Sequence, residues 1–269
     1  MPISETAKQI KTFLAKRRPE ILIILGSGLG SLADEIETPH TLPYAQIKGF
    51  PQSSVQGHQA QLICGTLSGK DVICMQGRFH LYEGHPPQAI NTVIKAFQQL
   101  GIKNLIVTNA AGSLKKNLPA GSLMLISDHI NLSGTNPLIG PNDDRFGPRF
   151  PDMTDAYHRA FQKKFENIAK SAKIKIHKGV YLMVTGPTFD TTAEVKAYAV
   201  LGADAVGMST VPEVICAVHS GMKVLGISVI TNLGTGIKKT KHSHQEVLAQ
   251  SQAAAKNLSK LVKQFLKEL

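Results

Sequence analysis

Ten consecutive residues, Gln76-Gly77-Arg78-Phe79-His80-Leu81-Tyr82-Glu83-Gly84-His85, bring a guanidinium, two imidazoles and a phenol into one short stretch. Arg is the preferred clamp for phosphate because its planar fork donates two parallel hydrogen bonds. A surface turn whose Arg pairs with a carboxylate uses the same residues, so the stretch alone decides nothing. A second stretch, Gly26-Ser27-Gly28-Leu29-Gly30, follows the apolar run Ile21 to Leu25. Successive N–H groups there, with the hydroxyl of Ser27, make a concavity suited to phosphate or another anion. Its G-x-G-x-G spacing is not that of dinucleotide folds, and no G-K-[ST] follows; an ordinary strand-to-turn connection also accounts for it. A third, Gly186-Pro187-Thr188-Phe189-Asp190, sets an aromatic ring beside a carboxylate, which suits a heterocyclic base. Phe189 in the core and Asp190 capping a helix that starts near Thr192 is an equally open reading. Gly57-His58, Asn109-Ala110-Ala111-Gly112, Gly207-Met208-Ser209 and Thr231-Asn232 fall where strands or loops meet the same sheet edge. His242-Ser243-His244 has no Cys or carboxylate at ligand spacing, so no metal site is expected. No nucleophile elbow or Ser-His-Asp order is legible.

These groups must be positioned by a regular framework, and the hydrophobic pattern supplies one. Ile21 to Leu25, apolar throughout and rich in β-branched residues, fits a strand buried on both faces. Residues 4 to 16 read as a helix capped by Ser4 and stopped by Pro19. Gln61 to Cys64 and Asp71 to Met75 read as a hairpin turning at Ser68-Gly69. Pro87 to Leu100 follows helical spacing and stops at Gly101. Strands at Leu105 to Thr108, Leu123 to Ile126, Gly179 to Val184, Ala203 to Met208 and Val224 to Ile230 then alternate with helices at Asp155 to Ala172, Thr192 to Leu201 and Pro212 to Ser220. A last helix starts at His244. Residues 131 to 154 carry four prolines and are expected to be a long irregular loop, of the kind that is usually functional or disordered. The alternation predicts an α/β fold, with residues 1–269 forming a single domain around a central, mostly parallel mixed β-sheet flanked by helices.

At 269 residues and 42% hydrophobic content the chain can bury a sizeable core. Its net charge of +11 invites an anionic partner, but the lysines are dispersed and lack interleaved aromatics, which reads as a basic solvated surface and no nucleic-acid interface. Three cysteines without close spacing, Cys64, Cys74 and Cys216, fit reduced core thiols. No signal peptide and no membrane-spanning run are legible, so a cytoplasmic protein is expected.

Taken together, Gly26 to Gly30, Gly57-His58, Gln76 to Gly84, Thr108 to Gly112, Asp128-His129-Ile130-Asn131-Leu132, Gly140-Pro141-Asn142-Asp143, Gly186 to Phe189, Gly207 to Glu213 and Ile230-Thr231-Asn232 resemble the trimeric purine nucleoside phosphorylases over almost the whole chain. The resemblance implies phosphorolysis: inorganic phosphate attacks the anomeric carbon of inosine, guanosine or their 2′-deoxy forms, giving free base and (deoxy)ribose 1-phosphate in purine salvage. No cofactor is implied; phosphate is a co-substrate. It further implies that Ser27, His58, Arg78, the amide of Ala110 and Ser209 hold phosphate, and that His80 bridges phosphate to the sugar. Tyr82 and the backbone of Met208 would contact the ribose hydroxyls, and His244 the 5′-hydroxyl. Phe189 would stack on the base, while Asp190, Thr231 and Asn232 would lie at the base site, with Asp190 and Asn232 binding its edge. Asn232, His80 and Asp190 would be the catalytic set, and Phe150 would close the sugar pocket of a neighbouring subunit in a homotrimer.

One residue departs from the family pattern, which usually has Glu where this chain has Asp190. The carboxylate is one methylene shorter, which leaves the guanosine, inosine and adenosine preferences open. Leu233 to Lys241 is also divergent and reads as a mobile lid. The alternative enzyme is a 5′-methylthioadenosine-type phosphorylase with relaxed base specificity. A basic nucleotide-binding protein without turnover is a different class, and a Rossmann dehydrogenase is disfavoured by the glycine spacing.

Overall fold

A computed structural model describes residues 3–51, 59–237 and 243–269. Strand β1 (Ile21–Leu25) lies at the centre of the sheet, parallel to β4 (Lys70–Gln76) on one side and to β5 (Asn104–Ser113) on the other. Its side chains alternate between two cores. Leu22 and Ile24 join the cluster packed by α1 (Ile3–Leu14), α2 (Pro87–Gln99) and α5 (Val211–His219), while Ile21, Ile23 and Leu25 join the cluster packed by α3 (Arg159–Ser171) and α6 (His244–Lys267). A strand covered on both faces has no polar face to show, which is why this one reads as an unbroken apolar run.

The hairpin turns at Ser68-Gly69, both with positive φ (54° and 78°), and pairs β3 (Gln61–Leu67) antiparallel to β4. Beyond β3 the sheet ends in β2 (Glu37–Pro43), an antiparallel edge strand that the sequence pattern does not reveal. Six of its seven residues are exposed and two are Pro, so it carries neither alternation nor apolarity; polar, Pro-containing edges are a usual guard against further pairing.

The other side of β1 closes on itself. In sheet order β5 is followed by β8 (Ala205–Gly207), β7 (Ile176–Met183), β6 (Leu123–Asn131) and β9 (Lys223–Leu233), and β9 pairs back onto β5. Parallel pairs are β1·β4, β1·β5, β5·β9, β6·β7 and β7·β8; the remaining pairs are antiparallel, so the sheet is mixed. Two strands run further than their apolar cores indicate. β5 continues past Thr108 through Ala110 to Ser113, and β9 past Ile230 through Asn232 to Leu233, in one shared ladder with a register shift between Ala111 and Gly112. Their second halves line a cavity, so the small and polar residues there carry no hydrophobic signal.

Other boundaries differ modestly. α1 begins at Ile3, which places Ser4 inside its first turn, and α3 begins at Arg159 with His158 as its N-cap, four residues later than Asp155. Residues 132–158 contain no helix or strand. The loop is pinned internally: Asn142 Nδ2 donates to Gly147 O at 2.9 Å, and Arg149 Nη1 donates to Leu138 O at 3.1 Å and Gly140 O at 2.8 Å. No helix among the described residues is long and apolar enough to cross a membrane, and the three cysteines are free and buried.

Candidate active site

The ends of β1, β4, β5, β7, β8 and β9 converge on a cavity of about 350 Å³. At one end of it β1 gives way to Gly26 and Ser27. A side chain at Gly26 would put its Cβ 2.7 Å from Asn109 Cα, so only glycine allows this close passage of two backbones. The same turn is tied to β5 by Thr108, whose Oγ1 accepts from Gly26 N at 3.1 Å and donates to Ile24 O at 3.2 Å.

Beside this turn lies Arg78, only 1% exposed. Its Nη1 donates to Ser209 Oγ at 3.1 Å and Thr210 Oγ1 at 2.8 Å, and its Nη2 donates to the carbonyls of Ile24 (3.4 Å) and Thr108. The carboxylate of Glu213, on the first turn of α5 and also buried, stands 3.7 Å from Nη1. Arg78 therefore has a carboxylate partner, but a buried one; the surface-turn alternative does not describe it. Thr210 is held at φ 78°, a left-handed conformation that a β-branched residue rarely takes. Its hydroxyl accepts from both Arg78 Nη1 and Asn109 Nδ2 (2.8 Å), and it is this pair of bonds that the unusual backbone presents. With Arg78, the hydroxyls of Ser27 and Ser209 and the backbone at Ala110 all line the cavity, this end of it is a cationic, donor-rich pocket.

His80 follows on the same segment and is 6% exposed. Its Nδ1 is 3.2 Å from Glu83 Oε1, which also accepts from His80 N at 2.9 Å, and its ring stacks on Tyr82 at 4.7 Å between centroids. A carboxylate facing Nδ1 fixes that nitrogen as the proton-bearing one and leaves Nε2 as the acceptor. Burial pulls the imidazole pKa below its usual value, partly offset by the bond to Glu83, so the neutral ring is favoured. The Tyr82 phenol is pushed up to about 12, chiefly by burial and then by Glu83, and stays protonated.

The far end of the cavity is built by β7, β8 and β9. Thr231 Oγ1 donates to Asn232 Oδ1 at 2.9 Å, and Asn232 Nδ2 donates to Leu233 O at 3.3 Å. Gly112 lies close enough that an added Cβ would stand 3.1 Å from Asn232 Nδ2. Opposite them, Phe189 is 44% exposed and lines the cavity, so it is not a core residue. Asp190 lines the cavity too and does not cap the next helix. That cap is Thr191, which accepts from Glu194 N at 3.2 Å while Glu194 Oε2 accepts from Thr191 N at 2.7 Å, a reciprocal capping box at the start of α4 (Thr192–Val200). Met208 packs against Gly186, where φ is 69° and a side chain would collide with its Sδ at 2.3 Å. His244, at the start of α6, completes the wall.

Thus Ser27, Arg78, His80, Tyr82, Ala110, Phe189, Asp190, Met208, Ser209, Thr231, Asn232 and His244 share one cavity. His58 lies outside the described residues, as do residues 238–241 of the expected lid, while Gly234 and Thr235 of the same segment line the cavity. Phe150 does not line it; 87% exposed, it lies on a second cavity with Asn131 and Arg149. Sequence reasoning passed over Glu83, Thr210 and Glu213 as individuals. All three sit inside the quoted motifs, but neither the burial of the two carboxylates nor the left-handed backbone of Thr210 is legible in the sequence.

A family model described as the phosphorylase superfamily matches residues 20–267. Purine nucleoside phosphorylase 1 of Bacillus subtilis (strain 168) is 54% identical over 245 residues, covering 91% of this chain and 90% of that protein. The Rattus norvegicus purine nucleoside phosphorylase is 48% identical over 254 residues, covering 92% and 88%. Among solved structures, the Schistosoma mansoni purine nucleoside phosphorylase in complex with inosine superposes with a TM-score of 0.94 at 39% identity, covering 99% of this chain and 96% of that one. The same enzyme in complex with adenosine superposes with a TM-score of 0.94 at 40% identity and the same coverage. With the motifs, the sheet and the cavity in agreement over nearly its whole length, the chain belongs to the purine nucleoside phosphorylases of the phosphorylase superfamily.

Proposed function

We propose that the cavity binds a 6-oxopurine nucleoside and inorganic phosphate side by side and transfers the pentosyl group from base to phosphate. The observation that carries this reading is the polarity of the cavity: a buried guanidinium with hydroxyl and backbone donors at one end, and an amide, a carboxylate and an exposed ring at the other. Phosphate is held by Arg78, Ser27, Ser209 and the Ala110 amide, with His58 as a further ligand. Arg78 is already oriented by the hydroxyls and carbonyls behind it, so little ordering remains to be done when the anion arrives.

In the reaction the bond from a phosphate oxygen to the anomeric carbon forms as the glycosidic bond breaks, and the departing electron pair moves onto the purine. The sugar becomes oxocarbenium-like, and the adjacent phosphate dianion stabilises it as well as attacking it. Negative charge on the base is met by Asn232, whose Nδ2 donates to O6 and whose Oδ1 accepts from N7 as that nitrogen takes a proton from solvent. The bond that Thr231 donates to that Oδ1 restrains the amide and supports this reading. Asp190 accepts from N1–H. Adenine has no hydrogen on N1, so a carboxylate there faces a lone pair, and such a site discriminates against it. His80, neutral and with Nε2 as acceptor, bridges phosphate and sugar; Tyr82, Met208 and His244 contact the sugar, and Phe189 stacks on the base. No metal or cofactor takes part.

A homotrimer acting in cytoplasmic purine salvage completes the proposal. Its support is that Phe150 and Ile139 are exposed by 87% and 58% and that Phe150 stands away from its own chain's cavity, available to close a neighbour's. The names of the relatives favour this substrate class over the 5′-methylthioadenosine alternative. Running the reaction backwards tests the core of it: hypoxanthine with ribose 1-phosphate should yield inosine and free phosphate, and failure to form either would remove the reading.

A further inference from the structure

Gln76 ends β4 two residues before Arg78 and stands behind the cavity, not on its wall. It is 8% exposed. Its Nε2 donates to Gly30 O at 3.3 Å, and its Oε1 accepts from Gln61 Nε2 at 2.7 Å, across the β3–β4 register that pairs the two glutamines. The acceptor at the end fixes both amides. Gly30 O can only accept, so the nitrogen of Gln76 must face it, its oxygen is turned to Gln61, and Gln61 must present a nitrogen in return. Gly30 closes the turn that begins at Gly26 and carries Ser27. The start of that turn is held by Thr108 Oγ1, which accepts from Gly26 N at 3.1 Å. Its middle presses on α6: at Gly28, where φ is 75°, an added Cβ would stand 2.7 Å from Ser251 Cβ and 3.1 Å from Leu248 O. On the other side of Gln76, the buried Tyr44 hydroxyl donates to Gly77 O at 2.8 Å, so the backbone leading to Arg78 is pinned as well.

We propose that Gln76 is a positioning residue for phosphate: its amide locks the carbonyl end of the Ser27 turn to the strand that delivers Arg78, which holds two phosphate ligands at a fixed separation. This rests on the reading of the donor-rich end of the cavity as the phosphate site. The ladder between β1 and β4 ends at the pair Leu25 and Gln76. Beyond it the two chains part, one into Gly26 to Gly30 and the other into Gly77 and Arg78, and the bond from Gln76 to Gly30 carries the connection past that last rung. A turn held in this way has less freedom to lose when an anion draws its donors together, so the binding site is set before the ligand arrives. Gln61 acts one step further back. By donating to Gln76 Oε1 it keeps that amide from turning its oxygen toward Gly30 O, where two acceptors would face each other.

The test is Gln76→Met, which keeps the volume and removes the donor, with Gln61→Met as a milder companion. Inorganic phosphate is titrated into each protein by calorimetry without nucleoside, and the KM for inosine is measured under saturating phosphate. Gln76→Met should weaken phosphate binding about 2- to 10-fold, the range that one neutral hydrogen bond allows. The KM for inosine should not move, since the nucleoside residues lie further along the cavity. Gln61→Met should weaken phosphate by less and in the same direction, and the double variant should match Gln76→Met alone, because Gln61 acts through Gln76. Unchanged phosphate affinity in folded Gln76→Met, an equal rise in the KM for inosine, or effects of the two substitutions that add in full would mark Gln76 as merely packing the sheet end and overturn the proposal. If Gln76→Met does not fold, Gln61→Met decides: weaker phosphate binding supports the proposal and unchanged binding overturns it. Those outcomes leave the phosphorylase reading intact wherever the unaltered protein binds phosphate and cleaves inosine with it. An unaltered protein that binds no phosphate would overturn both.

Discussion

Replacing Arg78 with Met separates the two jobs proposed for one side chain. The guanidinium is 1% exposed and lies 3.7 Å from Oε1 of the Glu213 carboxylate, whose Oε2 has no hydrogen-bond partner among the described residues. Met fills similar volume, so the cost is electrostatic: the carboxylate is left buried without its counter-charge, a change that costs about 3–5 kcal/mol in comparable buried pairs. Arg78→Met should therefore lower unfolding stability by about that amount, read from the midpoint of a urea transition. It should also raise the KM for phosphate, since removing a hydrogen bond to a charged ligand costs about 1.5–3 kcal/mol, or about 10- to 150-fold. The double variant Arg78→Met/Glu213→Leu replaces both charges with apolar groups and should regain most of the stability, because an ion pair swapped for packed aliphatic side chains is often neutral. It should regain none of the phosphate affinity. Unchanged stability in the single variant, or recovered phosphate binding in the double one, would refute the claim that Arg78 both neutralises Glu213 and clamps the anion.

Other consequences are equally direct. Asn232→Ala should lower kcat for inosine by about 10²- to 10³-fold with little change in KM for phosphate, because the contact proposed for it strengthens as charge reaches the base; near-normal turnover would remove Asn232 from its proposed role. The imidazole of His80, held neutral by burial, should titrate below the ordinary histidine value of about 6.5 when its Cε1 resonance is followed by NMR. The sign for stability follows: the unfolded chain takes up this proton first as pH falls, so the contribution of His80 is complete above about pH 6.5 and is lost as pH drops from there toward the lowered folded value. Gly26→Ala should destabilise the fold by about 1–3 kcal/mol, since the new methyl meets the backbone of Asn109 at 2.7 Å and backbone cannot step aside; thermal unfolding of the phosphate-free protein checks it.

Much of this architecture could be read from the chain because the residues that build it have no competing task. Ile21 to Leu25 sits between two cores and is apolar at every position, and α2 shows Ile90, Val93, Ile94 and Phe97 on one buried face. Strand β2 was not legible because an exposed edge has nothing to bury. The outer halves of β5 and β9 were missed for a different reason: Asn109, Gly112, Thr231 and Asn232 are chosen for the cavity they line, so the ladder that carries them has no apolar pattern. The residues that touch the cavity were found through their chemistry and through a resemblance spread over many motifs. Those that stand behind them were not, since Thr210 and Glu213 show their purpose only when a hydroxyl and a carboxylate from a distant part of the chain are seen beside Arg78.

The central claim is that one cavity couples phosphate at its cationic end to a 6-oxopurine at its amide and carboxylate end. Release of free base from inosine, guanosine and adenosine, each with and without inorganic phosphate, tests it most directly. Fast release from inosine and guanosine that requires phosphate, with adenosine left nearly untouched, is the predicted result. Release that is indifferent to phosphate, or a preference for adenosine, would contradict the account.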